Sequence, residues 1–370
     1  MFISPASRGS LGDQALVEGF LELQNNTETK CLEALVINGQ VKQKIYAGSL
    51  PVLGRYQSSR SGILNIIFDS IRYKALYIIG ADTLDGSYDI GKNLFWLDIA
   101  NYAVKVGIPV NIISFSFSSN PDLRVVKKIH TIDKRVVFVS REVYSKERFE
   151  FTTGVPCILA ADLAFIMKEK KDNKEIISVN SWVEDRKSSG DKVVALNVNS
   201  LTSMASLSTI VDNYIGAISS FENKNISFLL VSHDFRDDQS DYEVLSLIYE
   251  GVRKRGSSIP MVLVGGPYNC WDAKYAVSSV DFIVTGRMHL AIAGLSQGIP
   301  VYCVSYKDKF EGLLHHFGLK NCLIKSSDLL SLNKIVGLFD FALSNFKSDK
   351  VIVNNSLQKV IKLSASNIIN

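Results

Sequence analysis

The sequence is poor in the features that would assign a protein to a class at once. It has 5 cysteines in 370 residues (Cys31, Cys157, Cys270, Cys303 and Cys322), and no two have the Cys-x-x-Cys spacing of a zinc or thioredoxin-type site. Their surroundings are apolar, as in Val301-Tyr302-Cys303-Val304, which reads as buried free thiols in a reducing compartment rather than a disulfide framework. Prolines are few, 8 against 24 glycines, and long linkers are not expected. Charge of one sign is also lacking: 41 basic and 37 acidic residues leave a net charge of +4, which speaks against a dedicated nucleic-acid binder. No run approaches the ~18 apolar residues of a membrane-spanning helix, and Met1 to Ala15 shows no basic segment followed by an apolar one, so no secretory signal is expected. The expectation is a soluble cytoplasmic protein. Hydrophobic residues at 46% and charged residues at 21% lie near the globular average, which excludes wholesale disorder, collagen and coiled coil.

What is present is alternation. In the first half, short β-branched runs (Ala34–Ile37, Ala75–Ile79, Val110–Phe115, Arg135–Ser140, Cys157–Ala161) are separated mostly by helical patterns such as Asp13–Leu23 and Leu94–Val106. Continuous apolar strands bracketed by helices predict a parallel sheet covered on both faces. Residues 168–192 then break the pattern, being rich in Lys, Glu, Asp, Asn and Ser, and read as a connection. A second series follows, with strands at Val193–Val198, Phe228–Ser232, Met261–Val264, Phe282–Thr285, Val301–Ser305 and Cys322–Lys325. Helices fit Thr209–Phe221, Tyr242–Arg253, His289–Gln297, Phe310–Phe317 and Leu329–Asn345. The predicted fold is therefore α/β, with two doubly wound parallel-sheet, Rossmann-like domains facing a cleft. The expected division is residues 1–170, a linker at 171–192, a second domain at 193–347, and a C-terminal helix at 348–370 crossing back to the first domain. The strand before the Gly9 loop has only Met1–Ser4 to build on, so either it is very short or the chain begins later than its relatives do.

In open α/β sheets ligands bind at the carboxyl ends of the strands. In the second series those ends carry Ser232-His233-Asp234, Val264-Gly265-Gly266-Pro267, Gly286-Arg287-Met288-His289 and Ser305-Tyr306-Lys307-Asp308-Lys309. Arg287-x-His289 opens a helix, whose free N–H groups favour an anion. The Arg fork can hold a carboxylate or phosphate through two bonds, and a His can donate a proton near neutral pH. The same spacing also fits an Arg in an interdomain ion pair and a His capping its own helix. His233-Asp234 fits an acid/base pair, or an Asx-type turn beside a solvated His. His315-His316 reads as a solvated helix face. No His-Glu-x-x-His, Cys-x-x-Cys or Asp-x-Asp-like cluster stands out, and Asp237-Asp238 in a polar loop is weak evidence, so no metal is expected. In the first series, Arg8-Gly9-Ser10-Leu11-Gly12-Asp13 precedes a helix but lacks the third glycine of a dinucleotide fingerprint and the Gly-Lys-Ser/Thr of a P-loop. Asp82 and Asp85 in Gly80–Gly86, and Arg141 in Ser140-Arg141-Glu142, follow strands and also fit turn chemistry.

Taken in order, these blocks resemble the polysaccharide pyruvyl transferase family. The resemblance runs from about residue 7 to 318 through Gly9-Ser10-Leu11-Gly12-Asp13, Ser140-Arg141-Glu142 and Ala161-Asp162-Leu163-Ala164-Phe165. It is strongest in Gly286-Arg287-Met288-His289 through Gly298-Ile299-Pro300 and in Tyr306-Lys307-Asp308-Lys309. Ser10 stands where the family usually has Asn, and Ala81–Gly86 replaces a glycine-rich loop. The resemblance implies a fold like the GT-B glycosyltransferases. It implies transfer of a pyruvyl group from phosphoenolpyruvate, as co-substrate and with no other cofactor, to a sugar in exopolysaccharide or capsule synthesis. The product would be a ketal and phosphate. It implies His289, Arg287 and His233 as catalytic candidates, with Arg287, His289, Lys309, Gly265, Gly266 and Tyr306 toward the donor. Ser10, Gly12, Asp13, Asp82, Asp85 and Arg141 would face a saccharide or lipid-linked oligosaccharide acceptor, with peripheral association at the inner membrane. Two other readings stay open: a GT-B glycosyltransferase in which Arg287 and Lys309 hold a nucleotide sugar's diphosphate, and a non-catalytic scaffold.

Overall fold

The computed structural model describes residues 1–4, 9–25, 33–37, 52–57, 59–199, 206–237, 240–305 and 309–368. They form two compact units. The first comprises Met1–Arg8, Leu16–Met167 and Val360–Asn370, and the second Gly9–Ala15 with Lys168–Lys359.

The first unit holds seven strands: β1 (Phe2–Ile3), β2 (Glu33–Ile37), β3 (Val52–Gln57), β4 (Leu76–Ala81), β5 (Val110–Phe115), β6 (Val137–Ser140) and β7 (Ile158–Leu159). Their order is β3-β2-β1-β4-β5-β6-β7, and every recorded pair is parallel. The helices are α1 (Leu11–Asn25, whose first turn groups with the second unit), α2 (Arg60–Ser70), α3 (Ile90–Lys105), α4 (Leu123–His130) and α5 (Val143–Thr153). Each start is chemically marked. Ser59, Asp89, Asp122 and Glu142 accept backbone N–H groups of the first turns of α2 to α5, satisfying donors the helix itself cannot. The sheet divides two apolar layers. Phe2, Leu16, Phe20 and Ile79 fill one, and Trp96, Ile112, Phe115, Phe138 and Phe149 the other.

The second unit holds six strands: β8 (Lys192–Asn197), β9 (Ile226–Leu230), β10 (Met261–Leu263), β11 (Phe282–Thr285), β12 (Val301–Ser305) and β13 (Leu323–Lys325). Their order is β10-β9-β8-β11-β12-β13, again with parallel pairs. In both sheets the chain starts in the middle, winds to one edge and returns to wind to the other. β9, β11 and β12 are buried along their whole length, as expected of strands covered on both faces.

The stretch expected to be a linker is instead α6 (Lys174–Ser188), capped by Asn173 and burying Ile176, Val179, Asn180 and Val183. That i, i+3, i+4, i+7 stripe is a helical one, hidden in the sequence by the charged residues between. α7 (Leu207–Ser219), α8 (Asp241–Lys254), α9 (Cys270–Ala276), α10 (Met288–Leu295) and α11 (Phe310–Phe317) follow. The two C-terminal helices expected at 329–345 and 348–370 are one, α12 (Leu332–Ala365), and residues from Val360 onward group with the first unit. Cys157, Cys270, Cys303 and Cys322 are buried free thiols, whereas Cys31 lies outside the described residues. Among the described residues no helix is long and apolar enough to cross a membrane.

Candidate functional site

The polar residues gathered at the carboxyl ends of β8, β9 and β11 form one buried network. Arg287, at the start of α10, sends Nη2 to Asp241 Oδ1 (2.7 Å) and Nε to both Asp241 oxygens (3.1 and 3.2 Å). Its Nη1 lies 3.1 Å from Asp234 Oδ2. Asp234 also takes the fork of Arg236, through Nε at 2.9 Å and Nη2 at 2.5 Å. The second oxygen of Asp241 accepts Asn197 Nδ2 (2.9 Å) and the His233 backbone N–H (3.1 Å). Thr285 Oγ1 donates to Asn197 Oδ1 (3.0 Å) and accepts the Arg287 N–H (2.9 Å). The Arg287 side chain is 11% exposed and the Asp241 side chain 0%. Two guanidinium groups thus face two carboxylates. Arg287 is a clamped ion pair inside one unit, not across two. These bonds tie the carboxyl ends of β8, β9 and β11 to the first turn of α10.

Burial pushes the His233 imidazole well below its usual value, and the nearby charges of His289 and Arg287 push it the same way. The residue is 3% exposed, so the alternative of a solvated turn histidine does not hold. Asp241 behaves oppositely. Burial raises its carboxyl more than Arg287 and Asn197 lower it.

The Gly9–Asp13 loop, expected on the first domain's acceptor side, groups with the second unit. Ser10 pairs with Asp234 as an antiparallel bridge, and the Phe235 N–H donates to Gly9 O (2.8 Å). Gly9 has φ +90°, and a Cβ there would lie 2.9 Å from Arg236 N, so only glycine fits. Ser10 Oγ accepts the Asp13 N–H (3.3 Å), starting α1. Gly12 is pressed against His289: a Cβ would stand 3.1 Å from its Cγ, 3.2 Å from its Cε1 and nearer still to Nδ1. Ser10 and Gly12 are therefore neighbours of the donor candidates. Sequence reasoning missed Gln14, whose Oε1 accepts the Cys270 N–H (2.8 Å) and whose Nε2 donates to Asn269 Oδ1 (3.3 Å), tying the start of α1 to that of α9. It also missed Asp241. The only signal was an acidic residue at a helix start.

Gly265 and Gly266 follow β10. A Cβ on Gly265 would strike Glu175 Oε1, and one on Gly266 the Phe235 ring, which stands edge-on to Tyr268 at 4.9 Å. Lys309 occupies the N-cap position of α11, half-buried. Tyr306 lies outside the described residues.

In the first unit, Arg141 and Asp162 come from two of the blocks that carried the resemblance, and they meet. Arg141 Nη1 donates to Asp162 Oδ2 (2.9 Å) and Nε to Ser116 Oγ (2.8 Å), with both charged side chains almost wholly buried. Glu142 caps α5. Asp85 is buried and accepts the N–H groups of Ser87 (2.9 Å) and Ser118 (3.1 Å). Arg141 and Asp85, expected to meet an acceptor, are engaged in these contacts within the first unit. Asp82 is half-buried and accepts the Tyr88 hydroxyl (3.2 Å).

A GT-B-like pair of Rossmann-type folds is therefore joined to a strand-end site built around Arg287-x-His289. Comparison with solved structures agrees on the fold. The S. aureus MnaA–UDP co-structure superposes with a TM-score of 0.61 at 10% identity, covering 99% of this chain and 93% of that one. A ugt transferase from Siraitia grosvenorii in complex with UDP gives 0.60 at 9% identity, covering 99% and 97%. The UDP-GlcNAc 2-epimerase from Neisseria meningitidis bound to UDP-GlcNAc gives 0.52 at 11% identity, covering 98% and 97%. Among curated proteins none matches the chain. The sequence matches the model of the polysaccharide pyruvyl transferase family over residues 35–308, and the chain belongs to that family.

Proposed function

We propose that this protein transfers a pyruvyl group from phosphoenolpyruvate to two hydroxyls of one sugar, forming a ketal and releasing phosphate during polysaccharide synthesis. The observation that carries the reading is the family match over 35–308, which spans the Arg287-x-His289 strand end. The chemistry required is simple to write. A proton adds to the donor's methylene carbon, leaving an oxocarbenium-like centre at C2. One sugar hydroxyl adds there and loses its proton. The C2–O bond to phosphate then breaks, and the second hydroxyl closes the ketal and loses its proton. In this reading His289 delivers the first proton. The starts of α10 and α11, with Lys309, meet the charge on the departing phosphate. Arg287, locked by Asp241 and Asp234, holds the backbone that carries His289, and acts as a positioning residue.

The test is incubation with phosphoenolpyruvate and candidate saccharides. Inorganic phosphate and a product bearing a carboxyethylidene group are expected together. A second reading, glycosyl transfer from a nucleotide sugar, draws support from neighbours solved with UDP. Release of UDP from UDP-sugars, with phosphoenolpyruvate left intact, would establish it instead. Thermal shift offers a quick first screen, since a ligand at 100 times its Kd stabilises by about 2.7 kcal/mol.

A further inference from the structure

We propose that the outer face of α2, with the adjoining turn of α3, is a docking surface for an anionic phospholipid bilayer. α2 is apolar on both sides. Ile63, Ile66 and Ile67 are buried inward, while Leu64, Phe68 and Ile71 are 67%, 65% and 60% exposed. That is an i, i+4, i+7 stripe turned to solvent, where a surface helix normally carries polar residues. α3 packs beside α2 and extends the stripe. Asp98 and Asn101 of α3 face the α4 side, through the Lys128 ammonium and the Asp133 N–H. At 100° per residue, Tyr102 and Val106 lie on the opposite side of Asp98 from Asn101, toward α2. They are 51% and 58% exposed.

The rim selects the occupant. Arg60, Arg72 and Lys74 are exposed on α2 and just after it, and Asp69, half-buried, is the acidic residue on α2. A chain with nearly balanced charge thus concentrates cations around its exposed apolar stripe. Two copies meeting through this face would set like charges together, whereas an anionic lipid surface complements them. Long basic side chains reach headgroups while their stems lie along the apolar residues. The apolar stripe and the basic rim supply the two signals that stable peripheral attachment needs. Attachment here would bring the protein to a lipid-linked acceptor. It is independent of the donor chemistry proposed above.

The test uses the full chain, without donor or acceptor, in flotation with vesicles of phosphatidylcholine alone or mixed two to one with phosphatidylglycerol. Binding to the anionic vesicles is expected, weakening as salt rises. Phe68→Ser with Ile71→Ser should cut the bound fraction more than tenfold. Arg72→Gln with Lys74→Gln should cut it about tenfold and flatten the salt dependence. Both variants should keep the wild-type melting point. No binding to anionic vesicles, or undiminished binding by the Phe68/Ile71 variant, overturns the proposal. So does a wild-type dimer that dissociates in that variant, which would assign the face to a second copy. A lowered melting point overturns it as well, by showing the stripe to be packed. Because no donor is present, a negative result here leaves the pyruvyl-transfer reading standing, and the converse holds.

Discussion

Gly12→Ala separates chemistry from stability better than any other single change. Gly12 lies in the first turn of α1, where alanine is intrinsically favoured over glycine by about 0.8–1.0 kcal/mol. The new methyl would sit 3.1 Å from His289 Cγ and 3.2 Å from Cε1, and closer to Nδ1. Contact distances of about 3.5–4.0 Å require the ring to move by on the order of 1 Å. The backbone cannot yield instead, because Met288 and Leu290 on either side are buried. A displacement of that size costs roughly 10²-fold in rate, equivalent to about 2.7 kcal/mol of transition-state stabilisation. The assay is steady-state phosphate release from phosphoenolpyruvate with a competent acceptor, run beside thermal unfolding. kcat should fall about a hundredfold while the melting point stays level or rises. His289→Asn alone should lower kcat by about 10²–10⁴-fold, and Gly12→Ala added to it should cost little more, since both act on one ring. Full turnover in a stable Gly12→Ala protein, or additive losses in the double variant, would refute the reasoning that Gly12 acts through the His289 ring.

The remaining predictions concern the buried network and the pH response. Asp241→Ala leaves Arg287, Asn197 Nδ2 and the His233 N–H short of an acceptor, and should destabilise the protein by about 3–5 kcal/mol in urea unfolding; a loss below about 1 kcal/mol would show the clamp to be dispensable. Arg287→Lys keeps the charge but cannot span Asp241 and Asp234 together, so stability and turnover should fall in parallel; lost turnover with unchanged stability would return Arg287 to direct donor binding. His233 is held neutral by burial, so below about pH 6.5 the unfolded chain takes up a proton that the folded one refuses. Stability should therefore decline as pH drops through that value, by up to about 1.4 kcal/mol per unit from this group. His233→Gln should remove that share of the slope, which pH-dependent unfolding would check. Lys309→Ala should raise the donor KM more than it lowers kcat; equal donor affinity in the variant would place the ammonium outside the site.

The two sheets were legible because buried parallel strands are apolar throughout, and β5, β11 and β12 fall where the runs Val110–Phe115, Phe282–Thr285 and Val301–Ser305 put them. β3 was not, since Val-Leu-Gly-Arg-Tyr-Gln has neither an apolar run nor a clean alternation. α6 is masked in the sequence by its polar composition, although Ile176, Val179 and Val183 mark a buried stripe between lysines and glutamates. In the site, sequence placed Arg287, His289 and His233 at the carboxyl edge of one sheet, because strand polarity fixes which loops share an edge. It could not show Asp241 closing on Arg287 from 46 residues away, a contact that exists only once β9 and β11 flank β8. Adjacency in the chain points the Gly9 loop to the first unit, whereas its backbone pairing runs to Phe235 and Asp234. Glu142 and Arg141 stood out for their type, yet their bonds are those of a cap and a buried ion pair.

The last residues of the chain have a consequence for its biosynthesis. Asn367 is fully buried in the first unit, its Oδ1 accepting the N–H of Ser114 and its Nδ2 donating to Ala161 O (2.7 Å). Ser114 is held at φ +50°, and Ser364 Oγ donates to Asp162 O (2.7 Å) beside the Arg141 ion pair. The ends of β5 and β7 are thus completed by residues made about 200 positions after Met167, the end of that unit's main segment. At about 5–20 residues per second, the first unit waits roughly 10–40 s on the ribosome with those strand ends open. Throughout that interval the second unit is being made and can fold. The N-terminal half of the gene therefore does not encode the first half of the fold to be finished, and a fragment ending at Met167 should emerge with this seam unclosed.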